Sequence, residues 1–189
     1  GNEDFLAARA CKPDAIVLPK VESPQDILTV SDALSETDAP EVLKLWAMIE
    51  EPRGLMNLAA IAALGAHGKS RLECLVAGTN DLMLTTGAKT RAAMSPWLAQ
   101  ILLAARAGGL AALDGVFNDF ADSAGFEAEC AAVRDLGFDG KTLIHPDQIE
   151  GANRIFAPSS EELATSKAIV QAFNSPENAE WSVLALDGR

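Results

Sequence analysis

Two acidic side chains follow apolar segments of this sequence at positions where they could bind a cation. Glu50 ends the nearly uninterrupted apolar run of residues 45–49. An ionised carboxylate in such surroundings is costly unless it is paired or bound to a cation. Asp81 follows the tripeptide Gly78-Thr79-Asn80, whose glycine lets the backbone approach a ligand closely and whose amides can hold an anion. Both carboxylates are therefore candidate metal ligands.

Oxygen donors from two carboxylates, completed by water and ligand oxygens, suit octahedral Mg²⁺. The sequence thus predicts a magnesium site at Glu50 and Asp81. Two structural alternatives remain open: Glu50 could form a salt bridge with Lys20 or Arg53, and Asp81 could cap the next helix. Zinc is disfavoured because the sequence contains no His-x-x-x-His or Cys-x-x-Cys spacing.

Other polar residues near predicted strand ends are weaker candidates. Lys20 and Arg53 follow the first and second apolar runs, and His145 lies between the last apolar run and a proline. For His145, a conformational role or a stacked wall is as good an explanation as acid-base chemistry. We take all three as candidate lining of the site.

The elements that must position these residues alternate along the chain. Apolar runs at residues 15–18, 43–49, 72–77, 113–117 and 142–144 each predict a buried strand. Helical patterns lie between or after them, at residues 24–34, 55–64, 96–108, 125–136 and 161–173. The spacing is that of one strand-helix unit, which predicts an α/β fold with a parallel sheet.

The predicted units form one domain over residues 1–189. Five units are visible, whereas a complete eight-unit barrel needs about 250 residues, so the sheet is either open or part of an incomplete barrel. A dinucleotide-binding fold is disfavoured because Lys20-Val21-Glu22-Ser23 stands where a Gly-x-Gly-x-x-Gly turn would be needed.

Charge and composition restrict the partners. The chain has 27 acidic and 15 basic residues and a net charge of -12, which disfavours nucleic acid and anionic membrane surfaces. There is no apolar run of about 18 residues and no signal-peptide pattern, so we expect a cytoplasmic protein. The three cysteines are widely spaced in apolar segments and are predicted to be core residues rather than disulfide or zinc ligands.

Five ordered stretches resemble motifs of the citrate lyase beta-subunit and malyl-CoA lyase family, and the resemblance covers essentially the whole chain. They are Val17-Leu18-Pro19-Lys20-Val21-Glu22-Ser23, Met48-Ile49-Glu50-Glu51-Pro52-Arg53-Gly54, Gly78-Thr79-Asn80-Asp81-Leu82, Leu113-Asp114-Gly115-Val116-Phe117-Asn118-Asp119 and Gly137-Phe138-Asp139-Gly140-Lys141-Thr142-Leu143-Ile144-His145-Pro146.

The resemblance implies an incomplete (β/α)8 TIM barrel, whose five strands match the fourth to eighth of the family barrel. It implies that Glu50 and Asp81 bind Mg²⁺ and are the catalytic residues, and that the loop matching Thr79 to Asp81 holds a substrate carboxylate. The implied substrates are short oxo or hydroxy diacids, commonly as CoA thioesters. The implied assembly is a homo-oligomer, a trimer or hexamer.

The activity that the resemblance implies is a carbon-carbon lyase, or aldolase, acting on malyl-CoA, citramalyl-CoA or citryl-thioester substrates. One alternative is a malyl-CoA thioester hydrolase that uses the same metal site. Another is an inactive fragment with only a folding or association role, because the family's diacid-binding arginine and its lid aspartate fall outside this sequence. The lid aspartate lies beyond the segment matching Asp187-Gly188-Arg189.

Overall fold

The computed structural model describes residues 7–66 and 68–175, which form an α/β fold; Asp187-Gly188-Arg189 lie outside this part. Residues 7–10 are helical. The elements that follow are β1 (Ala15–Leu18), α1 (Pro24–Glu36), β2 (Lys44–Ile49), α2 (Pro52–Met56), α3 (Leu58–Ala62), β3 (Leu72–Ala77), α4 (Thr79–Thr86), α5 (Ser95–Ala107), β4 (Ala111–Asp114), α6 (Ser123–Leu136), β5 (Gly140–Lys141), α7 (Gln148–Phe156) and α8 (Ser160–Asn174).

The sheet of the described chain has five parallel strands in the order β1-β2-β3-β4-β5. Each strand therefore pairs with the next one along the chain. A doubly wound sheet reverses its strand order at a switch point, whereas a (β/α)8 barrel does not. The sequential order is consistent with part of a TIM-barrel-like fold.

The hydrophobic core lies between one face of the sheet and the helices. Along β2, Leu45, Ala47 and Ile49 are fully buried, and the intervening residues are partly exposed. Because side chains alternate between the two faces of a strand, Glu50 continues the face opposite to Ile49. The helical side of the core is supplied mainly by Ile27, Leu34, Ile61, Leu98, Ile101 and Ala105.

Three strands match their predicted positions and two do not. The predictions at residues 15–18 and 72–77 are confirmed, and β2 differs by one residue from residues 43–49. The prediction at residues 113–117 is wrong because β4 ends at Asp114. A methyl group on the next residue, Gly115, would lie 2.2 Å from Oγ1 of Thr79, so the chain passes this point in close contact with the β3 end.

The prediction of β5 at residues 142–144 is also displaced toward the C-terminus. The paired residues are Gly140 and Lys141, which lie beside Leu113 and Asp114 of β4. The apolar residues after Lys141 belong to the connection that leads into α7. Hydrophobic composition therefore marked the correct segment but not the residues that pair.

The helices show two further differences. The predicted helix at residues 55–64 is broken into α2 and α3 at Asn57, whose side-chain Nδ2 donates to the carbonyl of Glu22 at 2.8 Å. Helices α4 and α7 were not predicted. The helix at Ser160–Asn174 begins as expected, with Ser159 and Glu162 forming a reciprocal capping box.

The cysteine prediction holds for two of three residues. Cys74 and Cys130 are buried free thiols, and burial raises their pKa values to about 12 and about 11. The prediction is wrong for Cys11, which is exposed. Of the helices in the described chain, none combines the length and apolar character that crossing a bilayer requires.

An ion pair at the amino edge of the sheet joins α5 to β4 and β5. Both carboxylate oxygens of Asp139 accept hydrogen bonds from Arg106 at 2.9 Å, and Oδ2 also accepts from the backbone N–H of Ala112 at 2.7 Å. Partial burial raises the pKa of Asp139, but these hydrogen bonds outweigh burial and hold the pKa below its usual value.

We expect Asp139→Asn to lower the free energy of unfolding near neutral pH by about 1 kcal/mol, because this half-exposed pair is partly screened. A carboxyl with a lowered pKa contributes stability above its unfolded-state pKa and loses it as the pH falls through its folded-state pKa. The difference from wild type should therefore close below about pH 4 in urea denaturation. Asp135→Asn, at an exposed position on α6, is the control. A difference that persists unchanged in acid would contradict this assignment.

Candidate functional site

The candidate site is built around Glu50, the first residue after β2. Its residue surface is only 7% exposed, and its Oε1 accepts the backbone N–H of Lys20 at 2.8 Å. Burial raises the pKa of Glu50, the Lys20 N–H partly offsets this, and the charge of Asp81 raises the pKa further. Glu50 is therefore a partly compensated carboxylate at the carboxyl edge of the sheet.

The end of β3 lies against Glu50. The N–H of Gly78 donates to the carbonyl of Ile49 at 2.9 Å, which holds the two strand ends together. A methyl group on Gly78 would lie 2.2 Å from Cβ and 2.9 Å from Oε2 of Glu50. Glycine is required here because the Glu50 side chain occupies the space that a Cβ would need.

Asp81 lies in the first turn of α4, the helix that begins at the end of β3. Gly78 is the N-terminal cap of this helix, so the alternative in which Asp81 caps it is wrong. A carboxylate in the first turn interacts favourably with the helix dipole. Asp81 is 40% exposed, so its oxygens are accessible to a ligand.

Lys20 connects the carboxylates. Its backbone is in the left-handed region, with φ of 52°, and its N–H donates to Oε1 of Glu50 at 2.8 Å. Its Nζ lies 3.2 Å from Oε1 of Glu51 and 3.4 Å from Oδ2 of Asp81. Contact with Glu51 raises the pKa of Lys20 most, and contact with Asp81 raises it further. The structure thus brings Glu50, Asp81 and Lys20 together, as the strand-end argument predicts.

The two salt bridges considered for Glu50, with Lys20 and with Arg53, differ from the ion pairs in the structure, where both basic side chains pair with other carboxylates. The Lys20 ammonium pairs with Glu51 and Asp81, and Glu50 is bound by the Lys20 backbone instead. Arg53 lies in the first turn of α2, and its Nε is 3.7 Å from Oε2 of Glu22. Glu51 was not singled out from the sequence, because its contact is with a residue 31 positions away in the chain.

Thr79 and Asn80, the first two residues of α4, are held by the end of β4. Thr79 is buried, and its side chain lies against Gly115, where no Cβ would fit. The Asn80 and Asn118 amides donate to one another, at 3.1 and 2.8 Å. The start of α4 is therefore held by the neighbouring strand end, a connection that the sequence did not reveal.

His145 belongs to a second part of the same edge. Its ring stacks on Phe120, with centroids 4.9 Å apart, and its Nδ1 accepts the N–H of Asp147 at 3.2 Å. The buried Gln148 donates to the carbonyl of Phe117 at 3.0 Å and accepts the N–H of Ile144 at 3.1 Å. His145 is therefore part of a stacked wall that joins the loops after β4 and β5.

The donor chemistry at Glu50 and Asp81 fits a hard cation. Within residues 7–66 and 68–175, no group of three or more His, Cys, Asp or Glu side chains is arranged to hold a metal ion. Mg²⁺ commonly binds through one or two carboxylates and keeps several waters or substrate oxygens, so a two-carboxylate site meets its needs. The close approach of a positive group, the Lys20 ammonium, to Asp81 shows that this edge attracts cations.

Comparison with known proteins identifies relatives of the chain. Residues 1–146 match the sequence model of the family described as HpcH/HpaI aldolase/citrate lyase. The chain is 44% identical to a (3S)-malyl-CoA thioesterase of Cereibacter sphaeroides and 30% identical to citrate lyase subunit beta of Escherichia coli; both alignments cover 100% of the chain and 64% of the relative. The chain therefore spans just under two thirds of the length of these relatives.

A solved structure is also similar to this chain. The protein CitE from Mycobacterium tuberculosis, in complex with magnesium, acetoacetate and coenzyme A, matches with a TM-score of 0.65 and 29% sequence identity. The match covers 93% of this chain and 62% of that one.

We expect Gly78→Ala to displace Glu50 and to lower the free energy of unfolding by about 1–3 kcal/mol, because the added methyl group would overlap the Glu50 side chain. Gly68→Ala is the matched control, since a methyl group there meets nothing within 4 Å; its effect should stay within about 0.5 kcal/mol. Chemical denaturation measures both. Equal stability of the two variants would show that Gly78 and Glu50 are not in close contact.

Proposed function

Because the chain belongs to the HpcH/HpaI aldolase/citrate lyase family, we propose that it carries the metal-binding part of a site for the CoA thioester of a short hydroxy diacid. One observation carries the proposal: a nearly buried carboxylate, Glu50, directly follows β2, and an accessible carboxylate, Asp81, lies in the first turn of the helix after the adjacent β3. Parallel α/β folds bind their substrates at this edge of the sheet.

Mg²⁺ is the proposed cofactor, with Glu50 and Asp81 as its protein ligands. The magnesium complex of the M. tuberculosis relative supports this choice, as does the all-oxygen donor set. When bound, the ion supplies polarisation of a substrate carbonyl and offsets the negative charge that develops on its oxygen.

The residues of α4 orient the substrate in this proposal. The first turn of a helix has N–H groups without intrahelical partners, and these bind anions. The N–H groups of Thr79, Asn80 and Asp81 would receive a substrate carboxylate beside the metal. Gly115 and Asn118 support this role, because their contacts with Thr79 and Asn80 fix the start of the helix. Lys20, Arg53 and His145 remain proposed lining residues.

Thioester hydrolysis is the reaction that the relatives favour. The sequence is 44% identical to a malyl-CoA thioesterase and 30% identical to a citrate lyase beta subunit over the same extent of chain. In hydrolysis, water adds to the thioester carbonyl and the CoA thiol leaves. The proposed substrate is malyl-CoA, and the products are malate and free CoA.

Carbon-carbon cleavage is the second candidate. It is the activity that the resemblance of the sequence motifs implies. It is supported by the citrate lyase beta relative and by a mitochondrial citramalyl-CoA lyase from rat, 31% identical over 98% of this chain and 58% of that protein. Malyl-CoA would then yield glyoxylate and acetyl-CoA.

We expect the full polypeptide encoded by the gene to release free CoA from malyl-CoA, with malate and without matching glyoxylate. Thiol titration measures CoA, and a carbonyl-specific reagent measures glyoxylate in the same samples. Glyoxylate formed in a one-to-one ratio with acetyl-CoA would reject hydrolysis in favour of cleavage. Release of neither product, with Mg²⁺ present, would contradict both candidates and favour a folding or association role.

We expect Asp81→Asn to weaken Mg²⁺ binding, because the amide keeps the size of the side chain but removes the charge that offsets the cation. Loss of a residue that hydrogen-bonds to a metal ligand typically costs about 10- to 100-fold in metal affinity or activity, so loss of a ligand itself should cost at least that much. Asp119→Asn, at an exposed position after β4, is the control. Calorimetric titration and kcat/KM as a function of Mg²⁺ test this; wild-type values for Asp81→Asn would remove Asp81 from the site.

A further inference from the structure

We propose that the ammonium group of Lys20 is an internal counter-ion of the candidate metal site, which it occupies when no metal is bound and which a divalent cation must displace. The inference rests on the proposed function, because it concerns the same carboxylates. It adds a determinant of metal affinity that is itself not a metal ligand.

The contacts of one residue carry the proposal. Lys20 touches three carboxylates: its N–H is 2.8 Å from Oε1 of Glu50, and its Nζ lies 3.2 Å from Oε1 of Glu51 and 3.4 Å from Oδ2 of Asp81. The backbone contact and the ammonium contacts are separable. Every substitution except proline keeps the N–H, whereas the ammonium depends on the lysine side chain.

Charge explains why the ammonium lies there. Glu50, Glu51 and Asp81 place three carboxylates near one strand edge, and Glu50 is nearly buried. Like charges that lie this close together raise each other's energy unless a cation lies between them. Among the described residues, the cation at these carboxylates is Lys20, whose positive end lies between Glu51 and Asp81.

The ammonium and the metal ion compete because both are attracted to the carboxylate of Asp81. An ion bound to Asp81 at about 2.1 Å would lie within a few ångströms of an ammonium that contacts the same carboxylate. Two cations at that separation repel each other strongly where solvent is partly excluded. Metal binding therefore requires the Lys20 side chain to leave Asp81.

The side chain is free to leave. It is 61% exposed, so its ammonium can move into water without burying a charge. The bond from the Lys20 backbone to Glu50 does not need to break, and Glu50 keeps its position. Since exposed ion pairs contribute little individually, the competition should lower metal affinity by a modest factor, about three- to tenfold.

The test is calorimetric titration of Mg²⁺ into four forms of the full polypeptide: wild type, Lys20→Met, Lys20→Arg and Lys89→Met. Lys20→Met removes the charge but keeps an unbranched chain of similar length. Lys20→Arg keeps the charge. Lys89→Met is the matched control, because it makes the same change of side chain at an exposed residue that follows α4.

We expect Lys20→Met to bind Mg²⁺ about three- to tenfold more tightly than wild type, with Lys20→Arg and Lys89→Met near the wild-type value. Thermal unfolding gives a second readout that does not depend on activity. Without metal, Lys20→Met should melt below wild type because Glu51 and Asp81 lose their counter-ion, and saturating Mg²⁺ should raise its melting temperature by more than that of wild type.

Unchanged or weaker Mg²⁺ binding by Lys20→Met would overturn the inference. So would an equal gain in Lys20→Met and Lys89→Met, since this would reflect the net charge of the surface and not competition at Asp81. The proposed metal site fails in a different way, namely if Mg²⁺ binding to wild type is insensitive to Asp81→Asn.

Discussion

The candidate site depends on the compensation of one nearly buried carboxylate. Glu50 follows β2 and is only 7% exposed, so an uncompensated charge there would be costly. Its nearest partners are the backbone N–H of Lys20, which donates to it, and a glycine, Gly78, that leaves room for it. This compensation is partial, since burial still raises the pKa of Glu50. A divalent cation would complete it.

The parallel sheet places the remaining groups where they can act together. Because each strand pairs with the next along the chain, the ends of β2, β3 and β4 are consecutive along one edge. Gly78 and Gly115 allow these ends to approach closely, and the amide pair of Asn80 and Asn118 connects two of them. The buried Gln148 extends the connection to the loop after β5. The accessible Asp81 is thus carried on a helix whose start is fixed.

The sequence predicts the parts of this arrangement that depend on local pattern. Short apolar segments locate β1 and β3, and a charge at the end of such a segment identifies Glu50. The start of β4 is missed because Ala111 and Ala112 carry little strand signal, although Ala112 is fully buried. The role of Glu51 depends on contact with Lys20, and the link between the loops after β4 and β5 depends on the hydrogen bond from Gln148 to Phe117. Both contacts join residues that are distant in sequence. No local pattern records these contacts.

Anomalous diffraction from crystals grown with Mn²⁺, used as a scattering substitute for Mg²⁺, tests the central claim most directly. A divalent cation should bind at the carboxyl edge of the sheet because Glu50 and Asp81 together offset its charge. The account predicts one strong peak within about 2.1–2.3 Å of a carboxylate oxygen from each residue, with the Lys20 ammonium moved away from Asp81. Strong peaks elsewhere, with Lys20 still on Asp81, would contradict it.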